Sequence, residues 1–254
     1  MTEQWRLLYT GLNTAYANMA IDRAILVANS EGKVPPTVRF YGWVPAAISI
    51  GYFQSLTEEI DVDACKKLGV DYVRRITGGG AVFHDKELTY SIVIPESHPK
   101  IPTNIIQSYG RICGAIMKGL DYLGIVSEYA PINDIITGGK KISGNAQTRK
   151  LGTVLQHGTI LMDVDVDKMF SILKVPNEKI KDKLITDVKQ RVTSIKHMLG
   201  KEVDFKEVAD AMKNGFQDEF HVLLIEGKLS AEEKILAKKF ERECFSTHDW
   251  NQRR

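Results

Sequence analysis

Residues 132–164 constrain the fold more than any other stretch. INDII (132–136), the pair Gly138-Gly139 and KKISGNAQ (140–147) read as a hairpin, because a glycine pair supplies the positive φ angles that a tight strand-to-strand turn needs. TVLQHGTILMDV (153–164) follows as a long strand. Consecutive strands of this kind do not belong to a regular βαβ series, so the predicted class is α+β or mixed α/β.

The flanking segments fit that class. WRLLY (5–9) reads as a first strand, and Asn13 as the cap of a helix over residues 14–28. TVRFYG (37–42), AAISIGYF (46–53), VDYVRRI (70–76) and LTYSIVIP (88–95) read as further strands. Residues 62–68 form a short helix ended by Gly69, and residues 104–123 a strongly amphipathic one. From Asp165 the chain turns helical. Residues 175–205 are charge-rich and predicted to run over the surface, before two amphipathic helices over about 205–222 and 230–245. A soft boundary falls near 175–200. The expected division is a catalytic domain over 1–185 and a small C-terminal helical part of the same domain over 186–254.

Composition narrows the function classes. The 254 residues carry a formal net charge of +2, which argues against a general nucleic-acid binder. No apolar run reaches membrane-spanning length, and the start has neither signal nor transit character. Cys65, Cys113 and Cys244 lie far apart, without CxxC or Cys/His metal spacing. A cytoplasmic location with reduced thiols is expected.

RRITGGGAVFHD (74–85) is the first candidate site. Three consecutive glycines are entropically costly to order, so they belong where something approaches the backbone closely. The Walker pattern and the dinucleotide fingerprint both fail here, the latter because Phe83 stands at its third glycine. A glycine loop can still aim several N–H groups at one anion, and of Arg74 and Arg75, which leave the strand on opposite faces, one can reach it. The other reading is a close-packed turn beside two solvated arginines. The combination with His84 and Asp85 favours the anion site.

Two further constellations are weaker. Asn133 and Asp134 offer oxygens across the turn from Lys140 and Lys141. If Ile142 packs inward, Lys141 and Ser143 share the opposite face. One lysine could lie over a cleft, although two exposed lysines at a hairpin tip explain this stretch, taken alone, better. His157, with Gly158 and Thr159, is either a hydrogen-bonded core histidine or part of a ligand pocket.

Taken in order, RRITGGGAVFHD, INDIITGGKKISGNAQ and LQHGTILMD resemble the lipoate–protein ligase A family, in the superfamily that also holds biotin ligases and octanoyltransferases. The resemblance extends from WRLLYTG to DWN and covers nearly the whole chain. It implies a class II synthetase-like fold, a mixed sheet flanked by helices with a small helical C-terminal part and no long-form accessory domain. It implies ATP and Mg²⁺ as cofactors, lipoate or octanoate as the small substrate, a lipoyl-domain lysine as acceptor and, for some short ligases, a separate accessory subunit. Neither nucleic acid nor membrane is an implied partner.

By the same resemblance Lys141 is the catalytic residue. Arg75 contacts the nucleotide phosphates, and Gly78, Gly79, Gly80, Ala81, Val82, Phe83 and His84 run along the adenylate. Asn133 and Asp134 lie near the phosphates, with Asp134 on the metal, and Ser143 and Gly144 flank the lysine. His157, Gly158 and Thr159 enclose the lipoyl tail.

Within the superfamily the chain also resembles a class of octanoyltransferases through VPPTVRFYGWVPAAISIGYFQ and SGNAQTR. Those enzymes keep the lysine but use a cysteine thioester, with the cysteine in the loop before the hairpin or just before the HG strand. Here these segments read SEYAPIND and RKLGTVLQHG, without cysteine. The expected activity is therefore an ATP-dependent lipoate–protein ligase. The alternatives are an octanoyl or lipoyl transferase using an acyl carrier, and a non-catalytic module that binds an acyl group or an adenylate.

Overall fold

The computed structural model describes residues 2–174 and 181–253. Strand β1 (Glu3–Asn13) leads into helix α1 (Ala15–Ser30), then β2 (Thr37–Trp43), β3 (Ala47–Ile50), α2 (Leu56–Glu59), α3 (Val62–Leu68), β4 (Asp71–Arg74), β5 (Val82–His84) and β6 (Glu87–Pro95). Helix α4 (Ile105–Tyr122) precedes β7 (Glu128–Ala130), β8 (Asp134–Thr137), β9 (Lys140–Lys150) and β10 (Thr153–Leu161). Then follow α5 (Val166–Phe170), α6 (Lys181–Arg191), α7 (Ile195–Leu199), α8 (Phe205–Phe220), β11 (Val222–Glu226), α9 (Ala231–Phe240), a π-helical turn (Glu241–Phe245) and α10 (His248–Gln252).

Eight strands make one mixed sheet in the order β11-β1-β2-β6-β10-β9-β8-β7, and three make a small sheet in the order β4-β3-β5. The predicted mixed sheet flanked by helices is what the chain builds. All seven residues of β2 are buried, so the centre of the large sheet is covered on both faces. On one face α4 and α8 bury Ile112, Ile116, Met212 and Phe216 against Phe40, Tyr90 and Ile92. On the other, α1 packs Ala20, Ala24 and Ile25 against Leu8, Tyr41 and Leu155. Cys113 belongs to the first core, and Cys65 to a smaller one beneath the three-stranded sheet.

The structure corrects four local expectations. Thr14, not Asn13, caps α1: its side chain accepts from Ala17 N at 3.2 Å, while β1 runs on through Asn13. The strand expected over 46–53 stops at Ile50. The C-terminal part is not purely helical. His221 adopts a left-handed φ of 50°, ends α8, and turns the chain into β11, which pairs parallel with β1 from Glu3↔Val222 to Leu7↔Glu226. Finally, part of the expected surface segment is buried. Residues 175–180 lie outside the described residues, but Thr193 donates its N–H to Lys141 O at 2.8 Å, and Ile195 enters the first core. No helix among the described residues is long and apolar enough to cross a membrane.

Candidate active site

The register of the large sheet builds a floor. Tyr41, Thr89, Thr159, Gly144 and Asp134 form one row across β2, β6, β10, β9 and β8. Arg39, Ser91, His157 and Ala146 form the row two residues away, on the same face. Above this floor lie the small sheet and the glycine loop. Between them is a cavity of about 160 Å³, lined below by Tyr41, Trp43, Thr89, Gly144, Ala146, His157, Gly158 and Thr159, and above by Ser49, Arg75, Gly79, Gly80, Ala81, Val82 and His84. Asn133, Asn145 and Lys141 stand at the β9 side and Met19 at the β2 side. Three inter-strand steps separate β9 from β2, about 14 Å.

At the β9 side, pairing shifts register after Ile135↔Ser143, so that Ile136 faces Lys141 and Ile142 is skipped. Such a bulge re-aims a side chain. Ile142 is buried in the core as expected, but Lys141 shares space with Gly144 rather than with Ser143. A Cβ at Gly144 would lie 2.8 Å from both Lys141 Cε and Nζ, so glycine leaves the room that the ammonium occupies. Lys141 Nζ sits 2.7 Å from Asp134 Oδ1, and both side chains are roughly a third exposed, at 39% and 34%. Asn133 and Asn145 clasp each other: Asn133 Nδ2 donates to Asn145 O at 2.7 Å, and Asn145 Nδ2 to Asn133 O at 2.9 Å.

Gly144→Ala is expected to keep the fold and displace the ammonium. Misplacing a reacting group by about 1 Å costs about 10²-fold in rate. Comparing turnover with the melting temperature of the same preparation checks this, and a variant with full turnover refutes the packing argument.

The roof answers the glycine question. Arg75 is buried, and all five of its N–H donors are engaged. Nε donates to Thr77 Oγ1 at 3.2 Å, Nη1 to Ser49 O and Oγ at 3.0 and 3.1 Å, and Nη2 to Gly78 O and Gly80 O at 2.7 Å each. Burial lowers this guanidinium to about 10, still charged at neutral pH. Arg75 thus shapes the loop. Gly79 needs its positive φ of 95°, and a Cβ on Gly51 would meet Gly79 O at 1.9 Å. Gly80 lines the cavity with no protein atom within 4 Å of its Cβ position. Arg74 leaves on the other face, as predicted, but is buried rather than solvated. It donates to Gly51 O, Tyr52 O and Gln54 O and ties the loop to Trp250 O and Asn251 O.

Two polar chains underlie the cavity. In the first, His157 Nε2 is 2.7 Å from Thr77 Oγ1 and Nδ1 is 3.2 Å from Asp22 Oδ2. Asp22 also accepts from Arg39 at 2.7 Å and Ser91 at 2.8 Å. Burial alone would raise the Asp22 carboxyl, but the Arg39 charge and the His157 contact outweigh it and hold it below the ordinary range. Burial pushes His157 down, against the pull of Asp22, so the ring is neutral. A carboxylate only accepts, so Nδ1 donates to Asp22 and Nε2 accepts from Thr77. The histidine is thus both a bonded core residue and a cavity wall.

In the second chain, His84 Nε2 is 2.8 Å from Ser49 Oγ and Nδ1 is 2.7 Å from Glu87 Oε1. This arrangement has the contacts of a serine–histidine–acid array. However, His84 stacks on Trp43 of β2 at 4.0 Å, and Glu87 accepts from Thr89 of β6, so the array lies over β2 and β6, away from the Lys141 strand. It belongs to the far wall, with Met19, Tyr41 and Trp43.

Of the residues named from the sequence, Gly78, Phe83, Asp134 and Ser143 do not line the cavity. Met19, Tyr41, Trp43, Ser49, Thr89, Asn145 and Ala146 do line it and were not foreseen. Asp134, the expected metal ligand, faces an ammonium, and no group of three or more His, Cys, Asp or Glu among the described residues could hold a metal ion.

Comparison with known proteins corrects the activity. An octanoyltransferase LipM of Brevibacillus brevis is 39% identical over 99% of this chain and all of its own length, and the octanoyltransferase LipM of Bacillus subtilis is 34% identical over 99% of both. These full-length relatives overturn the ATP-dependent ligase expected from the missing cysteine, and favour the transferase alternative. The fold is shared with ligases as well: a bi-partite lipoate protein ligase of Thermoplasma acidophilum superposes with a TM-score of 0.90 at 31% identity, covering 98% of this chain and 96% of that one. Residues 14–217 match the family described as Lipoyl protein ligase A/B catalytic domain, and the chain belongs to that family.

Proposed function

We propose that this enzyme transfers an octanoyl or lipoyl acyl group from an acyl-carrier thioester to a lysine of a lipoyl domain. The observation that carries the reading is Lys141, an ammonium at one end of a cavity whose other end is walled by Met19, Tyr41 and Trp43. A thioester carbonyl beside Lys141 would place its alkyl tail along the floor toward β2. The ammonium then faces the oxygen on which charge develops when an amine adds to the carbonyl, where a fixed cation contributes most. The full-length octanoyltransferase relatives support the donor chemistry. The engagement of Arg75 by loop carbonyls and hydroxyls also favours an acyl ligand over a phosphate at that guanidinium.

Intact mass of an unmodified lipoyl domain tests the proposal. Incubated with this protein and an octanoyl carrier protein, without ATP, the domain gains one octanoyl group. A gain that occurs only with ATP, Mg²⁺ and free lipoate refutes it.

A further inference from the structure

We propose that the acyl group passes directly from the donor thioester to the acceptor lysine, with Asp134 as the general base. This rests on the transferase reading. No cysteine lines the cavity: Cys65 and Cys113 are buried in cores, with burial raising their thiols to about 11 and about 12, and Cys244 is held against Arg23 at 3.3 Å. A thioester meeting an amine does not require an enzyme nucleophile. It requires a cation for the oxyanion and a base for the proton that nitrogen must shed.

Both groups stand together at the β9 end. Lys141 supplies the cation. Asp134 Oδ1 faces it at 2.7 Å from just outside the cavity lining, on a side chain that is 34% exposed. The other carboxylates of the site are committed: Asp22 to Arg39, Ser91, Tyr41 and His157, and Glu87 to His84 and Thr89. Both of these are buried, whereas Asp134 is open to an arriving side chain.

The step balances. The acceptor lysine arrives as the free amine, having lost one proton to solvent. Its nitrogen bonds to the carbonyl carbon, the π pair moves onto oxygen beside Lys141, and Asp134 takes a proton from nitrogen. The carbonyl then re-forms, the C–S bond breaks, and the carboxyl proton passes to the departing sulfur. An amide and a thiol result.

Asp134→Asn separates the base from a structural role, because the amide keeps the shape and can still bond Lys141. With octanoyl carrier protein as donor, transfer to the lipoyl-domain lysine is expected to fall by about 10²–10⁴-fold. Cleavage of the same thioester by hydroxylamine, whose weakly basic nitrogen gives an adduct acidic enough to shed its proton to water without a base, should fall far less. Asp134→Glu should restore part of the transfer, and intact mass should find no acylated enzyme. Equal losses in both reactions would make Asp134 only a support for Lys141 and overturn the proposal. So would unchanged transfer, or a turnover-competent acyl adduct on the enzyme, whether at Ser49, a cysteine or elsewhere. A wild-type protein that moves no octanoyl group at all overturns the transferase reading itself, and this inference with it.

Discussion

Lys141→Met is expected to retain the fold and to lose acyl transfer by about 10²–10³-fold, the effect of removing one oxyanion-stabilising donor. The two halves of that expectation have separate causes. The Lys141–Asp134 pair is partly exposed on both sides, so its contribution to stability is about 1 kcal/mol or less. The ammonium matters when negative charge appears on the carbonyl oxygen, and methionine keeps its length without the charge. Lys141→Arg should recover little. A guanidinium is planar and wider than an ammonium, and the space over Gly144 holds only the narrow end of a lysine. Rates from quenched mass measurements, read against unchanged thermal melts, check this. A Lys141→Met protein that transfers at the wild-type rate removes the lysine from the mechanism.

Lys141 was legible because its hairpin is local: a glycine turn fixes which residues stand at the tip. Gly144 and Asp134 were named beside it, but their contact with it was not legible. Alternation alone gives it Ser143, and only the bulge opposite Ile135 and Ile136 gives it Gly144 and Asp134. A bulge belongs to a pair of strands, so one strand's sequence does not carry it. The far wall was hidden for a similar reason. Met19 on α1, Trp43 on β2 and Ser49 on β3 meet only when the small sheet closes over the large one. Strand β11 depends on β1, more than two hundred residues away, and its five residues follow a helix that ends on His221 rather than on a glycine. The length of α3 needed only local periodicity, and the structure has it as read. The activity was misjudged because SEYAPIND and RKLGTVLQHG lack a cysteine, and that absence was read as setting the transferase aside. The lysine, the glycine loop and the HG strand do not separate the two, since the resemblance gives them to ligases and transferases alike.

Asp22→Asn should be the most damaging single change to stability. Asp22 is buried between Arg39, Ser91, Tyr41 and His157, and Arg39 is itself fully buried, stacked on Tyr41 at 3.8 Å. Removing the carboxylate leaves the guanidinium without its counter-charge, which costs about 3–5 kcal/mol, or a fall in Tm of roughly 6–20 °C at about 2–4 °C per kcal/mol. Replacing both partners, as in Asp22→Leu with Arg39→Met, should cost much less than the sum of the single changes, because no charge is then stranded. Acid should act on the same cluster. Asp22 and His157 both have folded-state values below their ordinary ones, so the unfolded chain binds more protons and stability rises with pH. The His157 share is complete above about pH 6.5 and is lost as pH falls below it, and the Asp22 share is lost below about pH 4. His157→Gln should therefore flatten the upper part of the acid limb in chemical-denaturation curves and leave the lower part. An unchanged upper limb would mean that the neutral imidazole under the cavity is not what acid attacks first.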